Sequence, residues 1–225
     1  MPQYDLTLEA FDTWYQADKV YACHKLESKL IIPIIEHFKP YSVLQLGNIM
    51  LGNLPKKAVI AGTKATEKHG PDCIIDYQKL PFQSEYFDVV ICPHWHEIIA
   101  SPTCLFSEIS RILVPEGLLV LYSMNPIGIW SIADNLVTND AVKWIQRRYT
   151  PEKLVAQAQV WQLEQAYHIY AGSRVFEPNS TDEHEKRVKH NNALLGVIHQ
   201  TVLRKSILGT TLIGEDLQSM AISGI

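Results

Sequence analysis

The chain has little with which to build a metal cluster or a disulfide frame. Its 225 residues include four cysteines, at positions 23, 73, 92 and 104. No two are spaced as Cys-x-x-Cys, which argues against a zinc ribbon. No apolar run approaches the roughly 18 residues of a membrane span. Met1 to Glu9 lacks the basic start and apolar core of a secretory signal. Cations are not in excess either. Twenty Lys and Arg face 24 Asp and Glu, a formal charge of −4, whereas nucleic-acid binders usually carry a basic stripe. Two local basic groups, Lys143 with Arg147 and Arg148, and Lys186 with Arg187 and Lys189, read most simply as solvated helix faces. There is no internal repeat, no low-complexity segment and no Gly-x-Gly-x-x-Gly, which removes the signature of a dinucleotide oxidoreductase. What remains is a globular, cytoplasmic chain with reduced thiols, expected to bind no metal and no membrane.

What is present is ordinary in amount and informative in order. Apolar residues make up 47% and charged residues 20%, enough for one packed domain with a small appendage. Residues 5–38 read as two amphipathic helical segments, with Pro33 expected to bend or restart the second and Lys39-Pro40 to end it. Short apolar strand candidates follow at Ser42 to Leu46, Ala58 to Ala61 and Cys73 to Asp76. Then comes the densest stretch, Leu80 to Pro126. It holds a Leu80-Pro81-Phe82 turn, an apolar run from Phe87 to Cys92, an amphipathic helix from Pro102 to Leu113, a Pro115-Glu116-Gly117 turn and a second run from Leu118 to Tyr122. Strand, helix, strand with both strands apolar on two faces is a βαβ unit of a parallel sheet. In such α/β folds the ligand site is expected at the strand C-termini. Residues 126–148 read as a helix. Thr150-Pro151-Glu152 is a helix start. Trp161 to Tyr170 and Leu194 to Leu203 read as strands, and the charge-dense stretch 177–192 as a mobile loop. The cysteines at 73 and 92 fall inside strand runs and read as small hydrophobes.

These residues resemble class I S-adenosylmethionine (SAM) dependent methyltransferases of the type 11 group, which includes ubiquinone and menaquinone methylases. The resemblance is carried by Leu80-Pro81-Phe82, Phe87-Asp88-Val89-Val90, His94, Glu97, Glu108-Ile109 and Arg111 to Gly117. It extends through Trp14-Tyr15, Glu27, Gln45-Leu46-Gly47, the string Met124 to Trp130 and Arg204-Lys205, which are similar to a divergent bacterial subgroup with a degenerate glycine loop. It implies a mostly parallel Rossmann-like sheet with an antiparallel last strand. Around that sheet it implies an N-terminal helical cap at 1–39, a methyltransferase-like domain at 40–205 and a tail at 206–225. The N-terminal helices would either lie across the active site as a lid or cover an edge of the sheet.

The cofactor motifs are worn. Family members place an acid on the first strand and three spaced glycines after it, because backbone N–H groups must approach the methionine end of SAM closely. Here Gln45 stands in the place of the acid, Gly47 keeps the first glycine, and Ile49 and Leu51 replace the other two. The acid that would hold both ribose hydroxyls at the end of the second strand is missing from Ala58 to Thr63. The 11 residues between Leu46 and Ala58 are fewer than the dozen or so of a usual parallel crossover, so a covering helix is hard to fit. Asp76, with Tyr77 beside it and Leu80 after it, matches the segment that meets the adenine, or else is a plain turn aspartate. The implied cofactor-binding set is thus Gln45, Gly47, Asp76, Tyr77, Leu80 and His94. In the Pro93-His94-Trp95-His96-Glu97 cluster, His94 or His96 is a candidate general base. Trp95, Asn125 and Trp130 fall on the expected acceptor side. The expected function is SAM-dependent methyl transfer to a small-molecule acceptor. The alternative is a catalytically silent relative that binds or regulates a protein partner.

Overall fold

The computed structural model describes residues 18–47, 51–63, 71–99, 102–128, 149–172 and 196–207. Seven strands form one sheet: β1 (Val43–Leu46), β2 (Val59–Gly62), β3 (Cys73–Ile74), β4 (Phe87–Pro93), β5 (Leu113–Met124), β6 (Leu163–Ala171) and β7 (Ile198–Lys205). Their order is β3-β2-β1-β4-β5-β7-β6. β1 to β5 run parallel, and β7 is antiparallel to both neighbours. This is the doubly wound, Rossmann-like α/β arrangement with an antiparallel last strand. Strand order reverses between β1 and β4, so the crevice at their C-terminal ends is the switch point where ligands of such folds bind.

Side chains of successive strand residues point to opposite faces, and the two faces carry separate cores. Leu44, Leu46, Val90, Cys92, Leu119 and Leu121 pack on one face with α4 (Pro102–Ile112) and α5 (Pro151–Gln159). Val43, Val89, Ile91, Leu118, Val120 and Tyr122 pack on the other with α1 (Asp18–Leu30) and α2 (Ile32–Phe38). Burial of each such Leu, Ile or Val contributes about 1.5–3 kcal/mol. Residues 51–58, between β1 and β2, make turns and no helix, in keeping with the short crossover. The face is instead covered from the N-terminus by Cys23, Leu26, Leu30, Ile31 and Ile34. α2 restarts one residue after α1, with Pro33 in its first turn, and Lys39 caps it in the left-handed region at φ 46°. α5 begins as the sequence reads: Thr150 accepts a hydrogen bond from the Lys153 N–H.

β5 begins earlier than expected. Leu113 pairs with Phe87 and Leu118 with Val89, so residues 114–117 bulge out of the ladder. Glu116 is left-handed at φ 65°. A Cβ on Gly117 would sit 2.9 Å from the Val114 carbonyl oxygen. The Pro-Glu-Gly turn therefore lies inside the strand, as a bulge that only a glycine can close.

Most of the family-like motif is scaffolding. Asp88 Oδ2 accepts from the Tyr41 and Ser42 N–H groups and the Ser42 hydroxyl, which fixes the entry to β1. Arg111 donates to the carbonyls of Leu80 and Phe82, and Glu108 accepts the Leu80 N–H while pairing with Arg111. That pairing holds the Glu108 carboxyl below its usual range, chiefly through the Arg111 hydrogen bond. Arg111→Ala strips two carbonyls and a carboxylate of their donor and is expected to cost about 2 kcal/mol, read as a lower urea midpoint; an unchanged midpoint would count against this staple.

Candidate functional site

The site is built on three elements that end at the switch point: the loop leaving β1, the turn leaving β4 and the end of α1. Gln45, near the end of β1, is fully buried, and its Oε1 accepts the Leu51 N–H at 2.8 Å. Leu51, at the third glycine position, is buried with the α1 side of the core. Gly47 leaves the strand at φ 131°, a conformation that side-chain-bearing residues rarely adopt, and its N–H is bonded to the Ala61 carbonyl. α1 latches this loop from above: Ser28 Oγ accepts the Gly52 N–H at 2.9 Å, and the Ser28 carbonyl accepts from Asn53.

At the end of β4 the backbone turns through His94, which is left-handed at φ 58°, into the one-turn helix α3 (Trp95–Ile98). His94 is 1% exposed and bridges two buried carboxylates. Its Nδ1 lies 2.7 Å from Glu97 Oε2 and its Nε2 2.8 Å from Glu27 Oε1 of α1. Burial alone would lower the pKa of this imidazole, but Glu27 and Glu97 outweigh it and lift the value to about 10. Burial raises the Glu27 carboxyl, against the pull of His94. His94 is therefore an imidazolium between carboxylates, with no lone pair to take a proton at neutral pH. Its place is to tie α1 to the turn after β4. Glu97 also accepts the Met124 N–H, which joins the end of β5 to the same knot.

His96 points to the other side. It is fully buried, with Nε2 2.7 Å from Ser123 Oγ and Nδ1 without a hydrogen-bond partner. Desolvation, then the nearby His94 and His199, keeps it neutral, well below the usual histidine value. His199 of β7 stands on the Tyr149 carbonyl and is lowered by burial to about 4. Of the two candidate bases only His96 is neutral. Asn125 is buried and spends its amide on the chain: its Nδ2 donates to the Gly196 carbonyl and its Oδ1 accepts the Ile127 N–H. Trp130 and the residues Asn48 to Met50 lie outside the described residues, as do the expected loop at 177–192, most of the helix 126–148 and most of the tail.

The side expected to meet the adenine is more open. Asp76 follows β3 on the surface, with Oδ1 accepting the Gln78 N–H. This is the turn geometry of an aspartate, and a carboxylate retains capacity for further donors. Tyr77 packs half-buried against the core, and Leu80 is 2% exposed beneath the stapled turn. β2 ends at Gly62 with no acid beside it. Among the described residues no group of three metal-ligating side chains converges, and no helix is long and apolar enough to cross a membrane.

Reading the sequence missed the reach of Glu27, seen there only as a matching position, and the parts played by Ser28, Ser123 and His199. Their partners lie 24 to 67 residues away in sequence, and no local pattern marks them.

A family model described as a methyltransferase domain matches residues 42–121, which span β1 to the middle of β5 and so include the whole switch point. Over those residues the chain is similar to the type 11 methyltransferases. No curated protein sequence matches it. Several solved structures share its fold. A SAM-dependent methyltransferase from Thermotoga maritima, described as a possible histamine N-methyltransferase, is 14% identical with a TM-score of 0.63. The match covers 87% of this chain and 94% of that one. A putative methyltransferase from Haloferax volcanii, solved in complex with the Trm112 methyltransferase activator, is 15% identical over 90% of this chain and 99% of its own, with a TM-score of 0.55. A SAM-dependent methyltransferase from Archaeoglobus fulgidus gives 14%, 81%, 94% and 0.53. The fold is thus the one these methyltransferases share, and SAM is the cofactor that the resemblance implies.

The residues present meet that cofactor unequally. Its adenosine end has a surface carboxylate and a stapled apolar turn. At its methionine end Gly47 keeps the backbone close, but the Trp95 indole lies 3.7 Å from where a Cβ on Gly47 would stand. Among the described residues, that indole stands where the methionine end would approach Gly47.

Proposed function

We propose that this chain binds SAM across the C-terminal ends of β1 and β4, held at its adenosine end, and transfers the methyl group to a small acceptor. The observation that carries the reading is the coincidence of the methyltransferase-domain match over 42–121 with an exposed Asp76 beside the Leu80-Pro81-Phe82 turn. SAM arrives with its methyl group already activated, so the protein need only align donor and acceptor. The buried neutral His96 is the better of the two candidate bases, since His94 is held protonated. Trp95 belongs with the cofactor side rather than the acceptor side on this reading.

A second reading is favoured by specific observations: Gln45 in the place of an acid, no acid at the end of β2, and the Trp95 indole against Gly47. In that reading the fold is kept as a binding or partner-regulating module. Calorimetric titration of wild type, Asp76→Ala and Gln45→Ala with SAM separates the two. The enzyme reading expects binding that falls about tenfold or more in Asp76→Ala and persists in Gln45→Ala, whose side chain caps a backbone N–H. Equal affinity in wild type and Asp76→Ala would remove the adenosine anchor.

A further inference from the structure

The turn after β4 carries a tryptophan where a ligand of this fold would be received. Trp95 is 0% exposed. Its Nε1 and Cδ1 lie 3.7 and 3.8 Å from the position a Cβ on Gly47 would take, so the indole rests in van der Waals contact with the end of β1. Nε1 has no hydrogen-bond partner, although it is wholly buried. A buried N–H without an acceptor is held at a cost, so this seat is filled by apolar contact and not by polar recognition. The direction of the indole is set by the left-handed turn at His94, which Glu27 and Glu97 hold from both sides. Across the loop, Leu51 is drawn into the core and its N–H is capped by Gln45.

We infer that Trp95 is the specificity-determining residue of this edge: its indole occupies the methionine end of the cofactor site and must leave Gly47 before a ligand with an amino-acid tail can enter. The inference rests on the reading of this edge as a SAM site. A ligand that ends at the ribose does not contend with the indole. A ligand with the full tail binds only the open fraction of the protein, and its apparent affinity is reduced by that fraction. The wild type therefore discriminates against the tail.

Titration of wild type, Trp95→Ala and Trp95→Phe with SAM and with adenosine tests this. Trp95→Ala is expected to tighten SAM about tenfold, as for a site open about a tenth of the time, and to leave adenosine unchanged. Trp95→Phe keeps a ring over Gly47, so its SAM affinity is expected to match wild type. If Trp95→Ala fails to fold, as judged by circular dichroism, Trp95→Leu replaces it, with the same sign expected. Three results would overturn the inference: SAM binding no tighter in either small variant, adenosine tightening in parallel with SAM, or a loss of SAM affinity in Trp95→Phe that would make the N–H a ligand donor. In these cases wild type still binds SAM, so the SAM-site reading survives. Failure of wild type and both small variants to bind either ligand would sink that reading, and the inference with it.

Discussion

Replacing His94 with alanine is expected to remove about 3–5 kcal/mol of folding stability, because it leaves two buried carboxylates facing one another without their cation. Glu27 and Glu97 approach the imidazole at 2.8 and 2.7 Å, and all three side chains are at most 1% exposed. Coulomb attraction at this depth is strong, but the desolvation of three charges nearly cancels it. The intact knot is thus worth little net, while the broken one is expensive. The loss should be read as a drop in urea midpoint and should shrink in the double variant Glu27→Gln/His94→Ala, which removes one stranded charge. The pH dependence carries a sign. His94 has its folded value raised to about 10, so its contribution is fully present below the ordinary histidine value near 6.5 and is lost as pH rises through about 10. The stability gap between wild type and His94→Ala should therefore narrow from pH 7 to pH 10. A gap that stays level over that range would show that His94 is not held as an imidazolium.

On the acid side the expected effect is of the opposite kind. His199 is lowered to about 4 by burial, and His96 is held neutral beside it. A depressed histidine contributes stability that is present above about 6.5 and is lost as pH falls toward its folded value. For His199 alone the span from 6.5 to about 4 corresponds to roughly 3 kcal/mol. Glu27 works against this loss, since a raised carboxyl gains a proton in the folded state as pH falls. Wild type alone would therefore mix the two. The difference between wild type and His199→Gln isolates the histidine: the advantage of wild type at pH 7 should fall by roughly that amount by pH 4. A constant difference between pH 7 and pH 4 would show that His199 is solvated rather than sealed against the Tyr149 carbonyl.

Much of the architecture could be read in the sequence because it is local. Phe87 to Cys92 and Leu118 to Leu121 announce buried parallel strands by composition, and Thr150-Pro151-Glu152 announces a helix start by its capping chemistry. The shortness of the link after Leu46 makes a covering helix hard to fit, and residues 51–58 make none. What the residues in that link do not tell is that α1 and α2 cover the vacated face, since that depends on packing over long separations. Pro115-Glu116-Gly117 reads as a turn before a strand, and not as a bulge within one, because Leu113 and Val114 resemble the end of a helix as much as the start of a strand.

The site was legible in part. Asp76 follows the end of β3 and the histidine cluster the end of β4, as their order in the sequence implies. The division of labour between His94 and His96 was hidden. It is decided by a left-handed residue that is not glycine and by a glutamate 67 positions upstream. The same left-handed turn swings Trp95 toward Gly47, a direction that no periodicity predicts. The most specific motif positions, Asp88, Glu108 and Arg111, are staples of the scaffold, so the strongest resemblance in the chain speaks for the fold more than for the chemistry.

The most direct test of the account is equilibrium dialysis of the wild-type chain against methyl-tritiated SAM at concentrations up to the millimolar range. Saturable uptake of one SAM per chain, displaced by the demethylated product, is the expected result. No uptake at millimolar SAM, from a sample whose urea transition is cooperative, would contradict it and leave the fold as a module without its cofactor.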